Sequence, residues 1–266
     1  MTNEVRRRLV EEYEVMYRVE DAHWWYRGME VITRHVIERH YARGSQLHIL
    51  DAGCGTGAAM GYLADYGNVF GIDYAAEALD YCQLRKRDRL TQGSVMALPY
   101  PNATFNLVTS FDVMSQYGVT DDTLALSEFS RVLVPGGRLV LRLPGAKWLR
   151  GQHDSAADVE KRYNVPELQA KVRGAGLVPE HISYANMFLF PVAAAKRLSE
   201  RILPPQNGSD LTLGTGPFNG LLSAVLSAEA PLINWCGLPY GLTIVTLARK
   251  PATWTQGMVD SRGSPD

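Results

Sequence analysis

Three cysteines in 266 residues (Cys54, Cys82 and Cys236) are too few and too odd in number for a disulfide framework. No CxxC pair and no Cys/His cluster at metal-ligand spacing occurs, so no structural zinc is expected. The chain also lacks a run of about 18 apolar residues, the length a membrane-spanning helix needs. The opening stretch MTNEVRRRLVEEYEVMYRVE is too charged for a secretory signal. A reducing, cytoplasmic setting is the expectation. Charge of either sign is scarce in the balance: the formal net charge is −1, which provides no global field toward nucleic acid or an anionic membrane. Arg6-Arg7-Arg8 and Arg85-Lys86-Arg87 fall in helical patterns and read as solvated faces. No basic strip interleaved with aromatics tracks a phosphate backbone, so a nucleic-acid partner is not expected. Repeats and low-complexity tracts are absent too.

What the chain does have is apolar content, 46% of residues, enough for one large domain with an elaboration. Val5, Leu9, Tyr13, Met16 and Val19 recur at helical spacing and predict an N-terminal amphipathic helix. The aromatic stretch HWWYRG (23–28) follows, and then a second helix over roughly 29–40. From LHILDAG onward, short strands alternate with helices: VFGID (69–73), LTQGSV, FNLVTSF (105–111) and RLVLRLP, with helices over 57–66, AEALDYCQLRKR and DDTLALSEFSRVL. The last of these helices has an N-cap in Asp121 or Asp122. Strands apolar on both faces, alternating with helices, predict a parallel sheet in a doubly wound α/β sandwich. After Pro144 the rhythm changes. VPELQAKVRGAGL predicts a helix, LVPEHISYAN a strand and LTIVTLARK (242–250) the last strand. The intervening 186–240 reads as a helical insertion over the sheet, and from Leu211 to Ala248 the only charged residue is Glu229. The expected organisation is one domain over 1–250, with a helical cap at 1–43 and a polar, disordered tail at 251–266.

Gly53, Gly55 and Gly57 follow the first strand and open a helix. Glycine there permits positive φ and lets a ligand approach bare backbone. With Ala58 the loop formally fits G-x-G-x-x-G/A, so a dinucleotide is one candidate guest. Asp51, two residues before the first glycine, repels a pyrophosphate and attracts an ammonium, as in S-adenosylmethionine. Asp73 ends the second strand, 20 residues after Gly53, where a ribose-binding acid belongs. It suits either guest.

The stretches ILDAGCGTG, GIDYAAEAL, LPYPNATFNLVTSFDV and EFSRVLVPGGRLVLRLP resemble the successive motifs of class I S-adenosylmethionine-dependent methyltransferases of the type 11 kind. HWWYRG, WLRGQHD (148–154), KRY (161–163), SYANMFLFP (183–191) and LPYGLTIVTLARK are similar to a bacterial small-molecule subgroup. The resemblance covers nearly the whole chain. It implies a Rossmann-like sheet of seven strands with the last antiparallel, S-adenosylmethionine as cofactor and a small acceptor as partner. Carried over by position, Asp51 meets the methionine amino group and the backbone at Gly53 and Gly55 faces the methionine part. Asp73 accepts both ribose hydroxyls, with Tyr74 against the adenine, Ser94 and Val95 at its edge and Phe111 at the end of the fourth strand. Ser94 departs from the acidic residue usual there, and Asn106 from the usual Asp; the second departure is read as structural.

The remaining candidates rest on placement. Tyr26 and Arg27 are expected to close over the cofactor carboxylate, Arg being suited to a bidentate grip. His153, with Asp154, follows the fifth strand on the rim where open sheets bind ligands, and is the candidate base toward a substrate hydroxyl. Tyr163 is the candidate to orient the acceptor, with packing in the core as the equal alternative. No metal ligand set is proposed. The charge-poor insertion suits a greasy acceptor, with peripheral membrane contact through Lys196, Arg197 and Arg201 as a lesser reading. Two further functions stay open: a non-catalytic cofactor-binding scaffold or sensor, and an NAD(P)-dependent oxidoreductase on a similar fold.

Overall fold

The computed structural model describes residues 3–116, 118–146, 161–191 and 216–252. In chain order the elements are α1 (Asn3–Val19), α2 (Trp24–Ile37), β1 (Leu47–Ala52), α3 (Ala58–Leu63), β2 (Gly67–Asp73), α4 (Ala76–Leu84), β3 (Leu90–Gln92), β4 (Phe105–Phe111), α5 (Asp122–Val132) and β5 (Leu133–Pro144). Then come α6 (Val165–Gly174), β6 (Val178–Ala185), α7 (Asn219–Ser227), α8 (Glu229–Trp235) and β7 (Thr243–Arg249). The sheet has seven strands in the order β3-β2-β1-β4-β5-β7-β6, and β7 runs antiparallel to both its neighbours. This is the expected Rossmann-like α/β architecture. The lone antiparallel strand lets β7 close the sheet between β5 and β6.

Strand alternation divides the core in two. Ile49, Leu107, Val140 and Leu247 face one layer, where Met29, Ile32, Leu63, Leu226 and Ile233 bury their side chains. Leu50, Val108, Leu141 and Ala248 face the other, against Phe129, Leu168 and Val172. Both faces are covered, which is why the strands read as unbroken apolar runs. Order reverses at β1, which pairs with β2 on one side and β4 on the other. The carboxyl ends of β1 and β4 therefore border the crevice in which open sheets take ligands.

Local chemistry sets the helix starts. Asp121 is the N-cap of α5, accepting the N–H of Thr123 and Leu124, while Asp122 turns inward. HWWYRG is not a lead-in to α2 but its first turns. His23 is the N-cap and its Nδ1 accepts the Trp25 N–H, so the helix begins at Trp24 and ends at Ile37, earlier at both ends than the 29–40 expected. Gly28 lies so close to Leu226 that a Cβ would stand 2.6 Å from its Cδ2, so α7 seats directly on α2. Asn219 reinforces that seat, accepting the Trp24 N–H and donating to the Ala22 carbonyl. Asn106 accepts the His48 N–H, a structural post as read from the sequence. Much of the expected helical insertion, residues 192–215, falls outside the described residues, as do Lys196, Arg197 and Arg201 and the tail beyond 252. No described helix is long and apolar enough to cross a membrane.

Candidate cofactor site

At the carboxyl end of β1 the chain must turn sharply into α3. Gly53 makes that turn with φ +82°, and a Cβ there would stand 2.1 Å from Val113 Cγ2. Only bare backbone fits. The loop encloses a cavity of about 170 Å³. Asp51, Gly53 and Gly55 line it from below, Tyr26 and Glu30 from α2, Tyr62 from α3, and Phe111 and Arg142 from the ends of β4 and β5.

Asp51 is 1% exposed. Its Oδ1 accepts the Thr109 hydroxyl at 2.7 Å, but its Oδ2 is buried with no hydrogen-bond partner among the described residues. Burial pushes its pKa up to about 7; the Thr109 hydrogen bond and the Arg142 charge pull the other way. A buried carboxylate oxygen without a donor is costly, and an ammonium from a ligand would satisfy it. Asp73 is also buried. Its Oδ2 accepts the Gly55 N–H at 2.9 Å; its Oδ1 accepts the Ala75 N–H at 3.0 Å and the Tyr13 hydroxyl at 3.4 Å. Burial raises its pKa, and the N–H groups of Ala75 and Gly55 partly offset that. Oδ2, with one donor taken, keeps room for a further one, because an oxygen has two lone pairs.

Asp51, Gly53, Gly55, Tyr26 and Phe111 thus meet around one cavity, with Asp73 hydrogen-bonded to its loop. Other expected residues stand apart from it. Tyr74 is 69% exposed beyond Asp73. Ser94 Oγ accepts the Met96 N–H at 3.2 Å, and Val95 packs into the core. Arg27 is exposed and does not line the cavity. Tyr163 is 1% exposed, its hydroxyl 2.9 Å from Asp122 Oδ2 and 3.0 Å from the Met114 carbonyl. Burial and Asp122 raise its pKa, so this phenol stays protonated as a packing and bridging group. His153 and Asp154 lie outside the described residues.

Several residues at the site escaped sequence reasoning. α1 reaches over the glycine loop: Glu20 is hydrogen-bonded to the Thr56 hydroxyl and ion-paired to Arg85 at 3.0 Å, and Met16 lines the cavity. Burial pushes the Glu20 pKa up to about 7 against the pull of Arg85. In the sequence Tyr13 and Met16 were visible only as an apolar stripe. Nothing there says what the stripe packs on. Arg142 is a charge within the apolar strand RLVLRLP, and that position was the available signal.

Residues 50–141 match the methyltransferase domain family. The demethylmenaquinone methyltransferase of Symbiobacterium thermophilum is 33% identical over 144 residues, 50% of this chain and 55% of that one. The 27-O-demethylrifamycin SV methyltransferase of Amycolatopsis mediterranei is 27% identical over 229 residues, 76% of this chain and 77% of that one. The chain spans about half the length of the first curated relatives it matches. Among solved structures, the Haloferax volcanii protein in complex with the Trm112 methyltransferase activator aligns with a TM-score of 0.60 at 20% identity, covering 92% of this chain and 96% of that one. A geranyl diphosphate C-methyltransferase from Streptomyces coelicolor, solved with S-adenosyl-L-homocysteine, aligns with a TM-score of 0.53 at 17% identity, covering 82% and 77%. The fold is that of the class I methyltransferases. Of the two guests the glycine loop left open, S-adenosylmethionine is the cofactor, and the donor set fits it: an unpaired acid for its amine, bare backbone beside it, and a second acid for its ribose.

Proposed function

We propose that this protein moves a methyl group from S-adenosylmethionine to a small, apolar or lipid-like acceptor by in-line displacement. The observation that carries the reading is Asp51 Oδ2, buried without a partner on the wall of the glycine-loop cavity. Bound S-adenosylmethionine supplies an electrophilic methyl on a sulfonium whose leaving group departs neutral and needs no acid. The chain's own work is to bind, orient and exclude water. Asp51 holds the ammonium, the backbone at Gly53 and Gly55 admits the methionine part, and Asp73 accepts the ribose hydroxyls. Tyr74, Ser94 and Val95 follow β2 and β3 on the adenine side. Ser94 offers one acceptor there and no charge. Tyr26 and Phe111 wall the cavity. Such positioning can supply roughly 7–11 kcal/mol of barrier lowering. A general base adds about 10²–10⁴-fold, roughly 3–5 kcal/mol, so positioning is the larger effect. His153 is the base in this reading. Tyr163 orients the rim through its bonds to Asp122 and Met114 rather than by touching an acceptor.

An apolar acceptor agrees with the aromatic walls and with relatives named for quinone and rifamycin substrates. α7 and α8, packed on α2, form part of the proposed cover over the acceptor pocket. A cytoplasmic setting belongs to the same proposal and rests on cysteine usage. Isothermal titration with S-adenosylmethionine tests the first half. Transfer of labelled methyl to a panel of quinones, polyketide phenols and fatty acids tests the second. Absence of binding removes the reading. Firm binding without transfer to any acceptor favours the scaffold or sensor alternative.

A further inference from the structure

The cavity has a second charged wall. Register pairs Arg142 with Phe111 and Val140 with Thr109, and Thr109 in turn with Asp51, so all five side chains share one face of the sheet. Arg142 is 9% exposed. Its Nε donates to Asp112 Oδ2 at 2.7 Å, and the rings of Trp25 and Phe111 have their centroids 4.8 and 4.7 Å from its Cζ. Burial opposes its charge, and Asp112 together with Tyr62 and Tyr26 more than offsets this, so the guanidinium stays protonated. A carboxylate and two aromatic faces thus hold the group in place. Only one of its five N–H donors is used, and the Nη edge donates to no described residue.

One cavity therefore presents a buried carboxylate oxygen with no donor and a guanidinium whose Nη edge donates to no described residue. The two do not pair with each other within ion-pair distance: the guanidinium's ion pair is with Asp112. A guest with an ammonium and a carboxylate on the same carbon would satisfy both. We infer that Arg142 is a cofactor-positioning residue, its Nη edge seating the α-carboxylate of the methionine part of S-adenosylmethionine while Asp51 takes the ammonium. The inference rests on the proposed function. Arg27, the arginine expected in this role, stands exposed outside the cavity. An acidic acceptor is the other source of a carboxylate for the same edge. The shared cavity favours the cofactor, because one α-amino-acid head group satisfies both orphaned atoms together.

The test compares S-adenosylmethionine with its decarboxylated analogue by isothermal titration, on the full chain and on Arg142→Met and Arg142→Lys. The wild-type chain should prefer the carboxylate-bearing ligand by about 10–100-fold, the range of a charge-assisted, two-point hydrogen bond. Arg142→Met should bind both ligands alike, at the affinity wild type shows for the analogue, and Arg142→Lys should restore part of the preference. Thermal unfolding with and without ligand provides a readout that needs no turnover. A wild-type chain without preference overturns the inference and needs no variant to show it. So does a preference that survives in Arg142→Met, which would leave the guanidinium to an acidic acceptor. A wild-type chain that binds neither ligand fails one level lower, at the cofactor reading itself.

Discussion

Replacing Asp51 by asparagine should make the protein more stable and abolish its hold on the cofactor. Burial lifts the Asp51 pKa from its ordinary 3.8 to about 7. The folded state therefore binds a proton that the unfolded state releases between about pH 4 and pH 7, and wild-type stability falls as pH rises through that window. A gap of about three units, at about 1.4 kcal/mol each, makes the ionised carboxylate a burden of about 4 kcal/mol above pH 7. Asparagine keeps the Thr109 bond and carries no charge, but it leaves an amide N–H unpaired, at a cost of about 1–3 kcal/mol. The net gain at pH 8 is about 2 kcal/mol, a Tm higher by about 4–8 °C for a chain of this size. Toward pH 4 the folded wild-type carboxyl is protonated and its burden is lost, so the gain should vanish and then reverse. Thermal unfolding of both proteins at pH 8, 6 and 4, with S-adenosylmethionine titrated into each at pH 8, measures all of this. A variant less stable than wild type at pH 8, or one whose stability difference ignores pH, would refute the burial argument. A variant that keeps full affinity would remove Asp51 from the amine.

The same ionisation predicts cofactor affinity against pH. An ammonium needs the ionised acid, so affinity should fall by up to about tenfold per unit below about pH 7, as titrations across pH 5–7 would show. Asp73→Ala removes the acceptor of the Gly55 N–H and, in the proposed function, of the ribose hydroxyls. At about 1.5–3 kcal/mol per charged hydrogen bond, affinity should drop at least tenfold, and unchanged affinity would cancel the ribose assignment. Gly53→Ala forces a side chain into a left-handed φ and onto Val113, so both Tm and cofactor binding should fall; calorimetry on the variant would show a neutral outcome if the loop can relax. Asp121→Ala loses the α5 cap, about 1 kcal/mol or about 2–4 °C in Tm, and should leave cofactor affinity untouched because the cap lies off the cavity.

The doubly wound sheet was legible because both its faces are buried. A strand such as FNLVTSF then carries apolar residues on both faces, and the first, second and fourth strands are each followed by a helix. The glycine loop and its two acids were legible because they depend on local geometry: a strand end, a turn that needs bare backbone, and a fixed spacing. HWWYRG was harder. Its aromatic run obscured a helix start that depends on His23 as a cap, a residue outside the usual set. For Tyr163 the sequence left an acceptor role and a packing role open. Its direction into Asp122 and Met114 depends on how α5 and α6 pack, and no spacing encodes that.

Sequence alone was enough to establish the class of fold and the Asp51–Gly53–Gly55–Asp73 cradle, since periodicity and turn chemistry act over a few residues at a time. Only tertiary structure could bring Arg142 from β5 onto the cavity of Asp51, lay Tyr13 of α1 against Asp73, and send Arg27 to solvent. Those placements follow from strand register and helix packing between segments 60 to 91 residues apart, where a side chain's partner is chosen by which faces meet and not by its neighbours along the chain.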